Sequence, residues 1–455
     1  MTDSRRFSVG DVFLLVLIVA LAAGTRAWYV NVCCRQGADD GPFQVQDDWK
    51  TERDLVVTNL GAGRGAVAPW PLRGDDASPY PAFAYPWLLS VLDRTSHDPE
   101  VTYQRVRWIQ VGLGAITAGL YFLFGRRAFR SGLVATIAGL LCAVHPFWII
   151  NTAEVNDGVL ATFLLALCLF LGVRGGQVGG ALTSLLYGLG LAGLATLRAP
   201  LLPFALAAIL WFLWRTRSLQ RGWLYALLAF LGFVNGLVPW GMRNIQTGGG
   251  VPAVVQSAYL NLWMGNNSRA TGGPESEPVM REALAEARGQ EQPAQPAGPV
   301  SAEQQAREMR EDMLNQIRQH PALTVERRLE AGVSFFFGQR WLTDRMLYRE
   351  DPKALGNAPD WLVGSIATLL AGGLLAMLLL GAMGWRWTYG WKHEAMPSSL
   401  APVWILLPYL LGHAEALHGP RLPLDGVFLS YTAFVLACVV PSVGRHLFRR
   451  TEIET

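Results

Sequence analysis

Charge is scarce in this sequence. Of 455 residues only 16% are charged, against 51% hydrophobic, and mean hydropathy is +0.25. A chain of this length could make several soluble domains, but so little charge argues against that organisation. Histidine (7) and cysteine (5) are scarce as well, and no CxxC pair or His/Cys cluster marks a metal site. Cys33 and Cys34 are neighbours in sequence, where cysteines rarely pair, while Cys142, Cys168 and Cys438 lie within apolar runs and read as packing residues. No internal repeat is visible. The net charge of +3 excludes little, because the charges are segregated by loop.

What the chain does have is long apolar runs, with 17 Trp and 48 Gly. Runs of about 18 residues or more suffice to cross roughly 30 Å of hydrocarbon, and Gly is common in packed membrane helices. Ten spans are expected, near 10–30, 105–124, 132–150, 157–173, 180–197, 201–214, 223–240, 360–384, 399–413 and 424–442. The fold class is therefore an all-α polytopic membrane protein. The first run follows MTDSRRFS, as a signal peptide would, but Thr25-Arg26-Ala27-Trp28-Tyr29 is a poor cleavage site, so it reads as an uncleaved anchor.

Arginine and lysine in short loops set the orientation. One set of connections carries Arg5-Arg6, Arg126-Arg127 with Arg130, Arg174, Arg215 with Arg217 and Arg221, Arg386 with Lys392, and Arg445 with Arg449-Arg450. These alternate with the other set, which puts both termini in the cytoplasm of an inner (plasma) membrane. The loops 31–104 and 241–359 then lie outside, with the short turns 151–156, 198–200 and 414–423. The chain divides into a transmembrane core over 1–240 with the first outer loop, an outer loop over 241–359 with interfacial helices, and C-terminal membrane helices over 360–455.

The first outer loop is rich in acids: Asp39, Asp40, Asp47, Asp48, Glu52, Asp54, Asp75 and Asp76. A helix over 45–60 starts near Asp47 or Asp48, whose charge suits a helix N-terminus. The Gly61-Ala62-Gly63-Arg64-Gly65 run ends it, and a second helix starts at Pro81 or Pro86 and runs to Leu92. In the other outer loop, 274–302 reads as flexible. A mixed-charge helix follows over 302–319, stopped by Pro321, and 323–337 reads as amphipathic and interfacial. Asn266-Asn267-Ser268 is formally a glycosylation sequon.

Several charges fall at the outer boundary. The carboxylates are Asp47, Asp48 and Glu154, and the cations are Arg198, Arg243 and Arg421, with His418 beside the last. The planar fork of Arg suits a phosphate at headgroup depth. A carboxylate opposite could deprotonate an incoming hydroxyl or amine. Together they fit group transfer from a lipid phosphate. Each residue also has a plainer reading: Arg198 and Arg243 as snorkelling anchors, Glu154 as a helix cap, His418 and His145 as satisfied polar groups, Asp47-Asp48 as a helix start.

These residues come in a recognisable order. Asp48 is followed by NLGAGRG and PYPAFAYPWLLSVL, then HPFWIINTAE with Glu154, GLATLRAPLLP with Arg198, LVPWGMRN with Arg243, LNLWMGNNSRATGG, and HGPRLPLDGVFL. From about 12 to 440 the chain resembles the bacterial branch of the dolichyl-phosphate-mannose–protein mannosyltransferase-like family. That branch is similar to the aminoarabinose transferases and belongs to the GT-C membrane glycosyltransferases. The resemblance implies a GT-C-like bundle of about ten transmembrane helices with outer-face juxtamembrane helices in the first loop. It implies transfer of a sugar, with inversion, from a polyisoprenyl-phosphate donor to an acceptor (protein, lipid or glycan) on the outer face. Asp48 corresponds to the general base, with Asp47 as fallback, and Glu154 to the acid after the third span. Arg243 and Arg421 correspond to the phosphate ligands, with Arg198 in support. The partners implied are the lipid-linked donor, the acceptor and membrane lipids, with no nucleic acid. No cofactor is implied, although the acidic cluster could hold a divalent cation.

The chain departs from the pattern in places. The family places an aromatic about four residues after the first-loop acid, where this chain has Glu52 or Thr51. DDASPY is extra, which makes Asp75 and Asp76 alternative carboxylates, and the sequence closes on RHLFRRTEIET without the soluble domain some members carry. The rival class is a lipid-phosphate transporter or flippase. It should show broken helices or charges near the midplane and two related halves. The sequence reads instead as clean spans with charges at their outer ends.

Overall fold

The structure is a computed structural model describing residues 8–33, 47–69, 77–79, 82–96, 99–247, 253–272, 277–288, 302–337, 360–390, 393–412 and 420–439. The apolar runs fold as helices where they were expected. These are α1 (Val9–Cys33), α4 (Pro99–Ala128), α5 (Gly132–Ala143) with α6 (Pro146–Asn151), α7 (Gly158–Val178), α8 (Ala181–Leu197), α9 (Leu202–Thr216), α10 (Gly222–Thr247), α15 (Asp360–Thr388), α16 (Met396–Leu411) and α17 (Leu422–Cys438). Among the described residues six apolar stretches are long enough to cross a membrane, and α5, α8, α16 and α17 are shorter apolar helices. The chain is an integral membrane protein: large apolar side chains stand exposed along α1 (Val12, Phe13, Val16), α10 (Trp223, Leu227, Phe230) and α15 (Leu369, Leu375, Leu379), as lipid contact requires.

The third expected span, 132–150, is not one helix. Ser131 caps its start by accepting from the Val134 N–H. The helix stops at Ala143, Pro146 opens α6 as its first residue, and His145 is the junction. Twelve residues of α5 rise about 18 Å, so the break lies inside the bundle. The reading of clean spans fails at this point.

Glycine sets the close seam between α8 and α10. A Cβ on Gly188 of α8 would collide with the Ala229 carbonyl and approach the Phe233 nitrogen to 2.7 Å, and one on Gly232 of α10 would meet the Leu185 carbonyl at 2.5 Å. Backbone therefore lies on backbone, the approach that small residues permit in membrane packing. Replacing Gly188 by Val should cost at least about 1–3 kcal/mol of stability. Gly193→Val, whose added Cβ meets only Leu164 Cδ1 at 3.5 Å, should cost less. Thermal unfolding of both in detergent checks this.

The arginine-rich connections gather at one end of the bundle. There Arg126 pairs with Asp11 of α1 at 3.4 Å, Gln177 donates to the Arg127 carbonyl, and Arg130 forms a two-pronged pair with Glu394. His393 accepts from the Ala395 N–H through Nδ1 at 3.0 Å. Burial, and then the Arg130 charge, push its imidazole down to about 4. Unfolded, it takes a proton near pH 6.5. Its contribution is therefore complete above about pH 6.5 and declines as pH falls towards 4. Tm should drop between pH 7.5 and pH 5, and by less in His393→Asn.

At the opposite end lie the elements between α1 and α4 and those between α10 and α15. α2 (Asp47–Gly61), the two-stranded ribbon of β1 (Val67–Pro69) against antiparallel β2 (Ala77–Pro79), and α3 (Ala84–Ser96) follow α1. Both helices match expectation. Tyr85 and Leu89 of α3 bury against Tyr103 and Val106 of α4, Val155 and Leu197, which seats α3 on the bundle. The segment between α10 and α15 holds α11 (Ala253–Met264), α12 (Glu277–Ala287), α13 (Ala302–Gln319) and α14 (Pro321–Phe337). Part of the stretch read as flexible is thus helical. Met280, Ala283 and Leu284 form an apolar face that packs on Leu260, Trp263, Met309 and Met313. α14 has the expected two faces: Val325, Leu329 and Val333 are exposed at four-residue spacing, while Arg327, Ala331 and Phe335 are buried.

Candidate functional site

Three of the expected site residues, Glu154, Arg198 and Arg421, fall in two polar clusters beside the break in the third span. The first is the turn after α6. Residues 151–158 are all buried, although the sequence is NTAEVNDG. Their backbone is held from α4: Arg107 Nε donates to the Ala153 carbonyl at 2.9 Å, and Gln110 Nε2 donates to the Thr152 and Glu154 carbonyls at 2.9 and 2.7 Å. Asn156 Oδ1 accepts from the Gly158 N–H, starting α7. Glu154 lies within this turn, 2% exposed, and is not the cap of α7. Arg198, at the end of α8, reaches across to Asp157 in a fork of two 2.6 Å bonds. That geometry is the strong, bidentate form of the Arg–carboxylate pair.

The second cluster centres on Arg421, at the start of α17. It is fully buried and paired with Asp425 one turn on, at 2.8 Å, and it donates to the Phe336 carbonyl of α14 at 2.5 Å. Its guanidinium stands 5.1 Å from the centre of the Phe147 ring, within cation–π range. His145 closes the cluster, its Nε2 2.9 Å from Asp425 Oδ2. Trp148 Nε1 donates to the Leu422 carbonyl, fixing α6 to α17.

A third cation was not among the expected site residues. Arg26 of α1 is fully buried between the spans. Its Nη1 donates to the Ala143 carbonyl at 3.0 Å and its Nη2 to that of Cys142 at 3.2 Å, the last carbonyls of α5. A cation at a helix C-terminus is favoured by the helix dipole.

Asp47 and Asp48 open α2 in its first turn. The structure describes their backbone alone, and likewise that of Arg243 near the end of α10. His418, Asp39, Asp40, Asp75 and Asp76 lie outside the described residues. α2 is tied to α4 through Asp54, which accepts from the Tyr103 hydroxyl at 3.5 Å. Among the described residues no group of three or more His, Cys, Asp or Glu side chains could hold a metal ion.

The LNLWMGNN stretch has a mechanical place. A Cβ on Gly265 would collide with the Gly412 carbonyl. Asn266 donates to the Leu411 carbonyl at 3.0 Å and accepts from Arg328, which also donates to the Leu410 carbonyl at 2.8 Å. The end of α16 is thereby clamped to α11 and α14. Asn266 is 1% exposed, so its sequon offers no accessible amide.

No protein-family model matches the sequence, and no curated protein matches it by sequence. Solved structures do match. The oligosaccharyltransferase of Archaeoglobus fulgidus, in its apo form, aligns at TM-score 0.53 and 14% identity, over 97% of this chain and 52% of that one. The archaeal oligosaccharyltransferase AglB from Archaeoglobus fulgidus, in complex with an inhibitory peptide and a dolichol-phosphate, aligns at 0.50 and 13%, over 98% and 52%. The fold is GT-C-like. The present chain spans about half the length of these neighbours, and the GT-C-like bundle accounts for nearly all of it.

Within this bundle Arg198 and Asp157 form a buried pair, and removing one partner strands the other. Asp157→Asn should cost about 3–5 kcal/mol, and the double replacement Asp157→Leu with Arg198→Met should recover most of it. Unfolding of both variants in mixed micelles checks this.

Proposed function

We propose that the chain is a membrane glycosyltransferase that draws a sugar from a polyisoprenyl-phosphate donor on the outer face. The observation carrying this reading is the GT-C-like fold over 97% of the chain. The finer kinship with the bacterial mannosyltransferase-like branch rests on the sequence resemblance. The arginine-rich end is read as cytoplasmic. This puts both termini inside, and α2, α3 and the clusters of Glu154, Arg198 and Arg421 at the outer side.

In the reaction proposed, Asp48, or Asp47 in its place, takes the proton of an acceptor hydroxyl or amine. The acceptor atom attacks the anomeric carbon. The bond from that carbon to the phosphate oxygen breaks, and polyprenyl phosphate leaves with the electron pair, inverting the centre. Arg243 and His418 are the proposed first contacts of the phosphate, with Arg421 behind them. Asp425 and the Phe336 carbonyl hold Arg421 in position until the phosphate arrives. Arg198, locked to Asp157, and Glu154 shape the floor. A fixed cation is worth more towards a leaving phosphate in this dry setting than in water.

A lipid-phosphate flippase is the second reading. The broken third span, with Arg26, His145, Arg421 and Asp425 buried near it, favours it. One experiment separates the two. Purified protein in liposomes is given radiolabelled polyprenyl-phosphate sugars, and release of polyprenyl phosphate is followed for the wild type, Asp47→Asn, Asp48→Asn and Arg243→Ala. Loss of a base should lower turnover about 10²–10⁴-fold in one Asp variant that still binds lipid, and Arg243→Ala should raise the KM for donor. No release with any donor, together with leaflet exchange that Arg243→Ala abolishes, overturns the transferase in favour of the flippase.

A further inference from the structure

Arg26 spends two of its three nitrogens on helix carbonyls. The third, Nε, is buried and has no hydrogen-bond partner. A charged donor left unmet among membrane helices is costly, so its surroundings matter. Nε lies against Gly114, where a Cβ would stand 2.5 Å from it. Gly114 and Arg26 line one small cavity of about 10 Å³ between α1, α4, α6 and α7. That volume is at the threshold of roughly 10–15 Å³ that holds a single water.

The chemistry of the wall selects the occupant. Thr117, Thr152 and Thr162 all line the cavity. Each has already given its hydroxyl proton to a carbonyl of its own helix or turn, those of Leu113, Trp148 and Gly158, at 2.7 Å each. Each hydroxyl is thereby left as an acceptor. Asn151, also on the wall, has its Oδ1 taken by Asn156 Nδ2 and keeps its own Nδ2 as a donor. The wall thus carries two donors, Arg26 Nε and Asn151 Nδ2, and the lone pairs of three threonines. A halide accepts only and would meet the threonine lone pairs unbridged. A cation would meet the guanidinium. Water accepts from the first set and donates to the second.

We propose that this cavity is a binding site for one water molecule, which solvates Arg26 and ties α1 to α4 and α7 beside the break of the third span. The site serves the Arg26 guanidinium on the side turned away from the α5 carbonyls, and it holds whether the chain is a transferase or a flippase. It also accounts for glycine at 114, since a side chain there would occupy the same space.

The test is a density map of the full chain that resolves ordered water, from crystals grown in sodium bromide with anomalous data collected at the bromine edge. The expected result is one peak within hydrogen-bond distance of Arg26 Nε, with no anomalous signal. The peak should be lost in the double variant Thr117→Val with Thr162→Val and kept in Thr117→Ser with Thr162→Ser. An anomalous bromide peak at Nε overturns the assignment in favour of a halide. A site without density, in a map that shows water elsewhere in the bundle, overturns it in favour of a dry cavity. A peak that survives both valines overturns the threonine bridge.

Discussion

The arrangement of this bundle depends on one cation placed at the end of a half-helix. In hydrocarbon a helix cannot simply stop, because its last carbonyls have no water to bind. α5 stops at Ala143 inside the bundle, and the Arg26 guanidinium takes up the Cys142 and Ala143 carbonyls. The charge is tolerated because it meets the negative end of the helix dipole, and the carbonyls are tolerated because they meet the charge. With α5 ended there, Pro146 can start α6 and His145 is free to reach Asp425.

The consequences spread outward from that stop. α6 is only six residues long, so the chain turns back before it leaves the bundle, and the polar turn 151–158 is folded inward. Turning inward would strand its backbone, and Arg107 and Gln110 of α4 supply the missing donors. Near the break Arg198 is met by Asp157 across the bundle and Arg421 by Asp425 one helical turn on. The Arg198 and Arg421 charges are therefore each met by a carboxylate within the bundle.

Much of this was legible in the sequence, because apolar runs and Gly/Pro punctuation are local signals. The positions of the spans, the start of α2 at Asp47, its end near Gly61, and the two faces of α14 all follow from periodicity and turn chemistry. What was not legible was pairing. Sequence shows a cation without its partner, so beside the reading of Arg421 as a phosphate ligand and Arg198 as its support, their pairing with Asp425 and Asp157 was not visible. The i, i+4 spacing of Arg421 and Asp425 on one helix was the available hint. Arg26 entered only as an argument about cleavage, although a lone Arg in an apolar run of that length marks a function for the charge. The break at His145 was carried in sequence only by Pro146, since the residues on both sides are equally apolar and hydropathy does not see a bend. The helix at Glu277–Ala287 was masked by flanking Gln, Pro and Glu.

Gly265 and Gly412 touch through their backbones, with Asn266 and Arg328 bracing the contact. Nothing compressible lies between the two strands of chain, so the joint cannot flex by a side chain changing rotamer. The ends of α11 and α16 are held together here, so a displacement of one would carry the end of the other with it. The LNLWMGNN stretch thus acts as a brace that holds the end of α16 against α11 and α14.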